Sequence, residues 1–422
     1  MEITINERLR LETEIPVLKV EKFHFSWKLS EHASVDFEGY LDRNISWRYE
    51  QICEKPIQLC LTDNGKVQRI FCGYINQFKT EDIGQTTRFY LQIKSGSELL
   101  DREPSSRSFQ DVCKTNAEIV REAVQGQSGQ VIRQREIDTE IGFPVICNEE
   151  TTWQFAKRMA GRLGSYVIPD IETGKPNLWF GMRKGKEVSP LSEECYTLEM
   201  NPVGKRTGVL FYVEGKDFYK IGDSMTYMEK KVTITGVEAQ YEHGNLIFQY
   251  VLEDMAFRHV SPQYCGQPPG LGFWGTIQSV KEETVSIALD IDQKRSTGSY
   301  FYPWYPETGN ILYAMPEKGA RALLYFFGED QQEGAVIHCL NEKIKKRSYK
   351  DRGVKFKDGN FLSLTEESLT LSQGGDHTLS IDDDSVDVGT VKELKILANE
   401  GIRVKARALR ISTPDELIIY HG

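Results

Sequence analysis

Short runs with apolar side chains at every second position dominate the first hundred residues. Phe23-His24-Phe25-Ser26-Trp27, Ile57-Gln58-Leu59-Cys60-Leu61 and Phe89-Tyr90-Leu91-Gln92-Ile93 carry the strand period, with one face toward a core. Asn64-Gly65 falls between Ile57–Leu61 and Ile70–Tyr74 and predicts a tight hairpin. The period then lengthens. Phe109 to Val124 is apolar at 109, 112, 113, 117, 119, 120, 123 and 124, a helical stripe in one or two pieces. Thr151-Thr152-Trp153-Gln154 matches a capping box. Trp153, Ala156, Met159, Ala160 and Leu163 then share a helix face, with Gly164 placed to end it. Strands are expected again over 165–169, 177–180, 209–213, 225–227, 231–240 and 246–252, with His243-Gly244-Asn245 as a turn.

The stretch QYCGQPPGLG, residues 263–272, is the clearest break in the chain. Five short strands follow, over 274–280, 284–291, 311–315, 320–327 and 334–339, which suit a small Greek-key barrel. A basic linker over 341–353 leads into a different pattern. Leu362/Leu364, Leu369/Leu371, Leu379/Ile381, Val386/Val388, Leu394/Ile396, Ile402/Val404/Ala406, Leu409/Ile411 and Leu417/Ile419 recur every seven to ten residues. Each burst is too small to close a core. Stability is gained when bursts stack and copies of the chain close around one axis, so this segment predicts an oligomer. The expected divisions are 1–105, 106–265, 270–345 and 354–422.

Composition narrows the function classes. A net charge of −10 gives no basic stripe for a nucleic-acid backbone. Cys53, Cys60, Cys72, Cys113, Cys147, Cys195, Cys265 and Cys339 form no CxxC pair, which fits reduced thiols and assembly in a cytoplasm. MEITINERLR has neither the basic nor the apolar region of a signal peptide, and no 18-residue apolar run occurs. Phosphate loops, GxSxG elbows and HExxH helices are absent from the sequence, and no catalytic residue, cofactor or metal site is expected. Asp382-Asp383-Asp384 with Asp376 and His377 lack the alternation of a calcium loop and read as a solvated turn. Glu149-Glu150 could act as paired carboxylates, but their place before a helix favours a dipole role. The aromatic run 301–306 reads as a packed loop rather than a sugar platform.

Three stretches carry a family resemblance. RSFQDVCKTNAEIVREAV (107–124) is similar to the pattern joining two hub barrels. CNEETTWQFAKRMAGRLG (147–164) resembles the hub signature, with Glu150, Thr151, Trp153, Phe155 and Arg158 at matching positions. Trp304-Tyr305, Met315-Pro316-Glu317-Lys318-Gly319, the strand 320–327 and GEDQQEGAVI (328–337) resemble the spike OB-fold, although Ala320 stands where that pattern has aspartate. The chain thus resembles the hub-and-spike proteins of contractile tails: the valine-glycine repeat proteins of type VI secretion (VgrG) and their phage-tail and extracellular counterparts. The resemblance implies a mainly β chain of tandem hub β-barrels with short helices, an OB-fold barrel and a C-terminal intertwined triple-stranded β-prism. It also implies a homotrimer that meets tail-tube and baseplate proteins, accepts a PAAR-like tip protein and effector cargo, and pierces a target membrane mechanically. The assembly residues it implies are Trp153, Phe155 and Arg158 in the hub, Trp304, Pro316 and Gly319 in the barrel, and Leu379, Ile381, Ile402 and Val404 in the prism. The competing functions are a tail-associated peptidoglycan or glycan hydrolase using Glu149 or Glu150, and a carbohydrate-binding receptor protein.

Overall fold

The computed structural model describes residues 2–42, 55–63, 65–133, 138–203, 206–255, 270–293, 298–306, 314–328, 331–340, 350, 352–356 and 358–419. Cys53, Cys265, His421, Asn64, most of the 263–272 break and most of the 341–353 linker lie outside them. The fold is mainly β, as the period-2 runs require, and it forms two compact units, residues 1–341 and 342–422.

The first unit is built on a twelve-stranded sheet. Its order is Glu2–Thr4, Leu9–Glu12, Ile57–Asp63, Lys66–Ile83, Thr86–Ser95, Ser34–Leu41, Val17–Lys28, Lys230–Glu242, Asn245–Glu253, Arg206–Gly215 and Tyr196–Val203, with Ser224–Tyr227 pairing on Lys230–Glu242. Strands from residues 1–105 and from 196–253 therefore share one sheet, joined where Phe23–Lys28 meets Gly236–Tyr241 in antiparallel register. The alternating apolar faces point inward: Phe23, Phe25 and Trp27 from one strand and Phe89, Leu91 and Ile93 from another belong to a single core. The two-residue turns follow from their residues. Asp63 pairs with Lys66 across Gly65 at φ +75°, and Glu242 pairs with Asn245 across His243 and Gly244, both at positive φ.

Two α-helices occur among the described residues. α1 is Asn116–Gln125, not the longer stripe expected from 109. Phe109 ends the strand Pro104–Phe109, which pairs with Val145–Thr151. The helix starts where Thr115 caps the Glu118 N–H and Glu118 returns the bond, a capping box that outweighs the apolar spacing upstream. α2 is Thr152–Arg162, capped by Thr151 and Gln154 as its sequence predicts, and Gly164 just beyond takes φ +63°. The helices pack in a second core with Trp153, Phe155, Ala156 and Met159.

A five-stranded antiparallel sheet closes the first unit. Its order is Phe301–Pro303, Thr284–Leu289, Gly272–Lys281, Arg321–Phe326 and Gly334–Leu340. A parallel bridge from Trp304 to Val336 joins its two ends into a barrel. The strand expected over 311–315 is not one: residues 311–313 lie outside the description and Ala314 and Met315 are irregular. Its place is taken by Phe301–Pro303 from the aromatic run, which sends Tyr302 into the barrel core.

The second unit is a meander of Arg352–Lys355, Phe361–Leu364, Ser368–Gln373, His377–Asp382 and Val386–Thr390, followed by residues 391–419 without a strand. Among the described residues no helix is long and apolar enough to cross a membrane.

Candidate functional site

The hub signature folds into a buried polar clasp. Cys147–Thr151 ends a strand, and Thr151 turns the chain into α2, so Glu150 and Arg158 meet across the first two helical turns. The Arg158 guanidinium takes Glu150 by Nε (3.0 Å) and Nη2 (2.8 Å), and Nη2 also donates to the Ile146 carbonyl at 3.0 Å. The two side chains are only 6% and 13% exposed, so the pair is desolvated. The same guanidinium lies 5.3 Å from the Phe155 ring, which stacks on Phe109 at 5.2 Å. The Trp153 ring lies against the His32 ring, centroids 4.3 Å apart and planes tilted by 32°. Thus Trp153, Phe155 and Arg158 act together, each holding a different neighbour to α2.

His32 belongs to a network that the sequence does not announce. Its Nδ1 is 2.8 Å from Ser97 Oγ and its Nε2 is 3.1 Å from Asp101 Oδ2, with Glu98 at 3.5 Å. Asp101 also accepts from the Thr151 hydroxyl, tying the turn 96–101 to the cap of α2. Ser97 is fully buried, which denies this Ser-His-Asp row a substrate and leaves it a fastening. The partners stand 65 and 69 positions from His32, so no local spacing could have signalled them.

Burial holds the His32 pKa below its usual value against the opposing pull of Asp101 and Glu98. Lys94, 3.1 Å from Glu98, acts in the same direction as burial. The sign follows directly. An unfolded histidine titrates near about 6.5, so the contribution is complete above that pH and is lost as pH falls through it toward the lower folded value. Wild type is expected to lose more melting temperature between about pH 7.5 and about pH 5.5 than His32→Gln does. Equal losses in the two proteins would remove His32 from the pH response. His24 has the opposite sign, because Asp36 beside it raises its pKa.

A second fastening joins the paired strands Pro104–Phe109 and Val145–Thr151 to the five-stranded barrel. Asp292 accepts from the Ser108 N–H (2.5 Å) and hydroxyl (2.7 Å), while Gln331 brackets Ile146, accepting from its N–H at 2.9 Å and donating to its carbonyl at 2.8 Å. Ile146 itself is part of the barrel core. Burial pushes the Asp292 pKa up, and the two Ser108 bonds hold it down. The barrel residues of the signature play separate parts. Trp304 donates from Nε1 to the Ala314 carbonyl at 2.9 Å, Pro316 is buried, and Gly319 turns the chain at φ +87° with its N–H on the Ile277 carbonyl.

The residues of the competing readings stand in different surroundings. The Glu150 carboxylate is committed to Arg158, and Glu149 is exposed on a residue at φ +49°. The aromatic run alternates, Tyr302 buried and Phe301 and Tyr305 outside. Asp382 closes its own turn by accepting from the Asp384 and Ser385 N–H groups, which lower its pKa.

The second unit exposes many of its aliphatic side chains. Cross-strand register aligns Val354, Leu362, Leu371, Leu379 and Val388 in one row. Leu364, Leu369, Ile381 and Val386 align in the next row on the same face. The opposite face carries Ser363, Thr370, Ser380 and Asp387 in register. Two adjoining rows of one face are therefore mainly aliphatic, bordered by Arg352 at one end and by Gln373, His377 and Thr390 in the row beyond, yet Leu371, Ile381 and Val388 remain 44%, 38% and 55% exposed. Ile402 and Val404, which have no strand partner, are 57% and 67% exposed.

No family model matches the chain, and no curated protein matches it. Solved structures do. An Escherichia coli component of the type VI secretion system, described as structurally similar to the bacteriophage T4 tail proteins gp27 and gp5, aligns with a TM-score of 0.56 at 14% identity, over 78% of this chain and 99% of its own. A chain of the Francisella PdpA-VgrG complex in its half-lidded form aligns with a TM-score of 0.57 at 10% identity, over 87% of this chain and 83% of its own. The lidded form gives 0.55 at 11% identity. The fold is that of the VgrG-like and phage tail-hub proteins.

Proposed function

We propose that this chain is the hub and central spike of a contractile injection apparatus and works as a homotrimer. The observation that carries the reading is the aliphatic face of the second unit, uncovered in one copy and attached to a hub fold. An exposed aliphatic face of this extent marks an association surface. Val386–Thr390 ends the sheet with no further strand beside it among the described residues, so another copy can extend the pairing as well as bury the face. Three copies wound around one axis satisfy both needs in a β-prism.

Stiffness is then the function. A closed prism transmits an axial thrust that a single open meander cannot. The two buried fastenings, Glu150–Arg158 and Ser108–Asp292, keep hub, connector and barrel from shearing under that load. In this reading the hub meets tail-tube and baseplate proteins, and the needle accepts a PAAR-like tip protein and effector cargo. The apparatus is assembled in a cytoplasm, expelled on contraction and driven through the target membrane. The role is mechanical rather than enzymatic, in keeping with solved relatives that are secretion and tail components.

Light scattering on the full chain and on a form lacking residues 354–422 tests the reading. The expected result is a mass near three times 48.3 kDa for the full chain, lost on truncation. A full-length mass near 48.3 kDa would overturn it.

A further inference from the structure

The stretch Ile402-Arg403-Val404-Lys405-Ala406-Arg407 alternates aliphatic and cationic residues without interruption, and Leu409-Arg410-Ile411 resumes the alternation after Ala408. Every residue from 402 to 411 is exposed and none is in a strand. In extended backbone, successive side chains point to opposite faces, so burying Ile402, Val404 and Ala406 turns Arg403, Lys405 and Arg407 outward together. On the trimer reading, three copies bring these cations to one level of the needle, over roughly 13 Å of strand. The meander before it has the opposite sign, with Glu366, Glu367, Asp376, Asp382, Asp383, Asp384 and Asp387. Concentrating cations this way in a chain of net charge −10 costs self-repulsion that an anionic surface relieves.

We propose that Arg403, Lys405 and Arg407 form a basic collar that docks on anionic lipid headgroups of a membrane. The proposal rests on the trimer reading for the closure of the collar. Its ligand chemistry is a layer of phosphate groups. Lys and Arg near such a surface are each attracted over about one Debye length, about 8 Å at physiological salt. A nucleic acid fits less well. No aromatic side chain lies between 391 and 419 to stack a base, and the acidic meander opposes a polyanion laid along the needle.

The experiment is sedimentation of the full chain with phosphatidylcholine vesicles, with and without phosphatidylglycerol, at low and high salt. Wild type is expected to bind the phosphatidylglycerol vesicles in a salt-sensitive way. Arg403→Gln/Lys405→Gln/Arg407→Gln is expected to bind at least about tenfold more weakly, about 1.4 kcal/mol. Lys184→Gln/Lys216→Gln/Lys230→Gln, which removes the same charge from exposed sites of the first unit, is expected to bind like wild type. Equal wild-type binding to both vesicle types, or full binding by the collar variant, would overturn the proposal. So would duplex DNA that competes off the vesicles through the same three residues. Solution mass is read on every sample. A collar variant that loses the trimer mass assigns these residues to subunit contacts and overturns the lipid role. A monomeric wild type that still discriminates the vesicles overturns the trimer reading and keeps the lipid one.

Discussion

Replacing Arg158 by alanine is expected to destabilise the first unit by about 3–5 kcal/mol, the cost of breaking a buried ion pair from one side. The reason lies in what stays behind. Glu150, 13% exposed, would keep its charge without its bidentate partner, and the Ile146 carbonyl would lose its guanidinium donor. Phe155 would lose the cation beside its ring as well. Arg158→Lys is expected to recover only part of the loss, because an ammonium cannot hold both carboxylate oxygens and the carbonyl with one planar fork. Glu150→Leu with Arg158→Met removes both charges together and is expected to approach wild-type stability. Urea unfolding followed by tryptophan fluorescence measures all four proteins. An Arg158→Ala loss below about 1 kcal/mol, the range of exposed pairs, would show that the clasp is open to solvent.

That clasp shows where sequence reasoning reached and where it stopped. The alternation of Phe23-His24-Phe25-Ser26-Trp27 could only be a half-buried strand, and Thr151 with Gln154 could only open a helix with Trp153, Ala156 and Met159 on its inner side. Both are local signals. The helix from 109 failed for an equally local reason: Thr115 and Glu118 form a second capping box, and the apolar residues upstream of it serve a strand and a turn. The sheet that joins Phe23–Lys28 to Gly236–Tyr241 spans more than two hundred positions and leaves no periodic trace. His32 is the sharpest case. Its partners Ser97 and Asp101 come from a turn 65 and 69 positions away, and an isolated histidine in a loop has no spacing to read. In the barrel, the run Phe301–Pro303 was legible as aromatic but not as a strand. What makes it one is pairing with Thr284–Ser286, and that pairing is tertiary. The second unit was legible in another sense: its bursts were too short to close a core, and one copy indeed leaves them uncovered.

Placing a carboxylate in that uncovered face is expected to abolish assembly. Leu371 and Leu379 are Cα partners at the centre of the row Val354–Leu362–Leu371–Leu379–Val388. If copies of the chain cover this face, each leucine contributes about 1.5–3 kcal/mol when buried, and an aspartate there costs several kcal/mol more as an unpaired charge. The penalty is repeated in each copy, so if the proposed trimer of three times 48.3 kDa forms, Leu371→Asp and Leu379→Asp should each convert it to a single chain. The matched substitutions sit one residue away. Thr370 and Ser380 are Cα partners on the opposite, polar face, and Thr370→Asp or Ser380→Asp should leave the mass unchanged. Far-ultraviolet circular dichroism is expected to keep the hub signal in all four variants, since the first unit has its own cores. The contrast between neighbouring positions is what makes the measurement decisive. Dissociation by the leucine variants alone places the aliphatic rows inside the assembly. Dissociation by the Thr370 and Ser380 variants alone would turn the sheet inside out and put the polar rows at the axis.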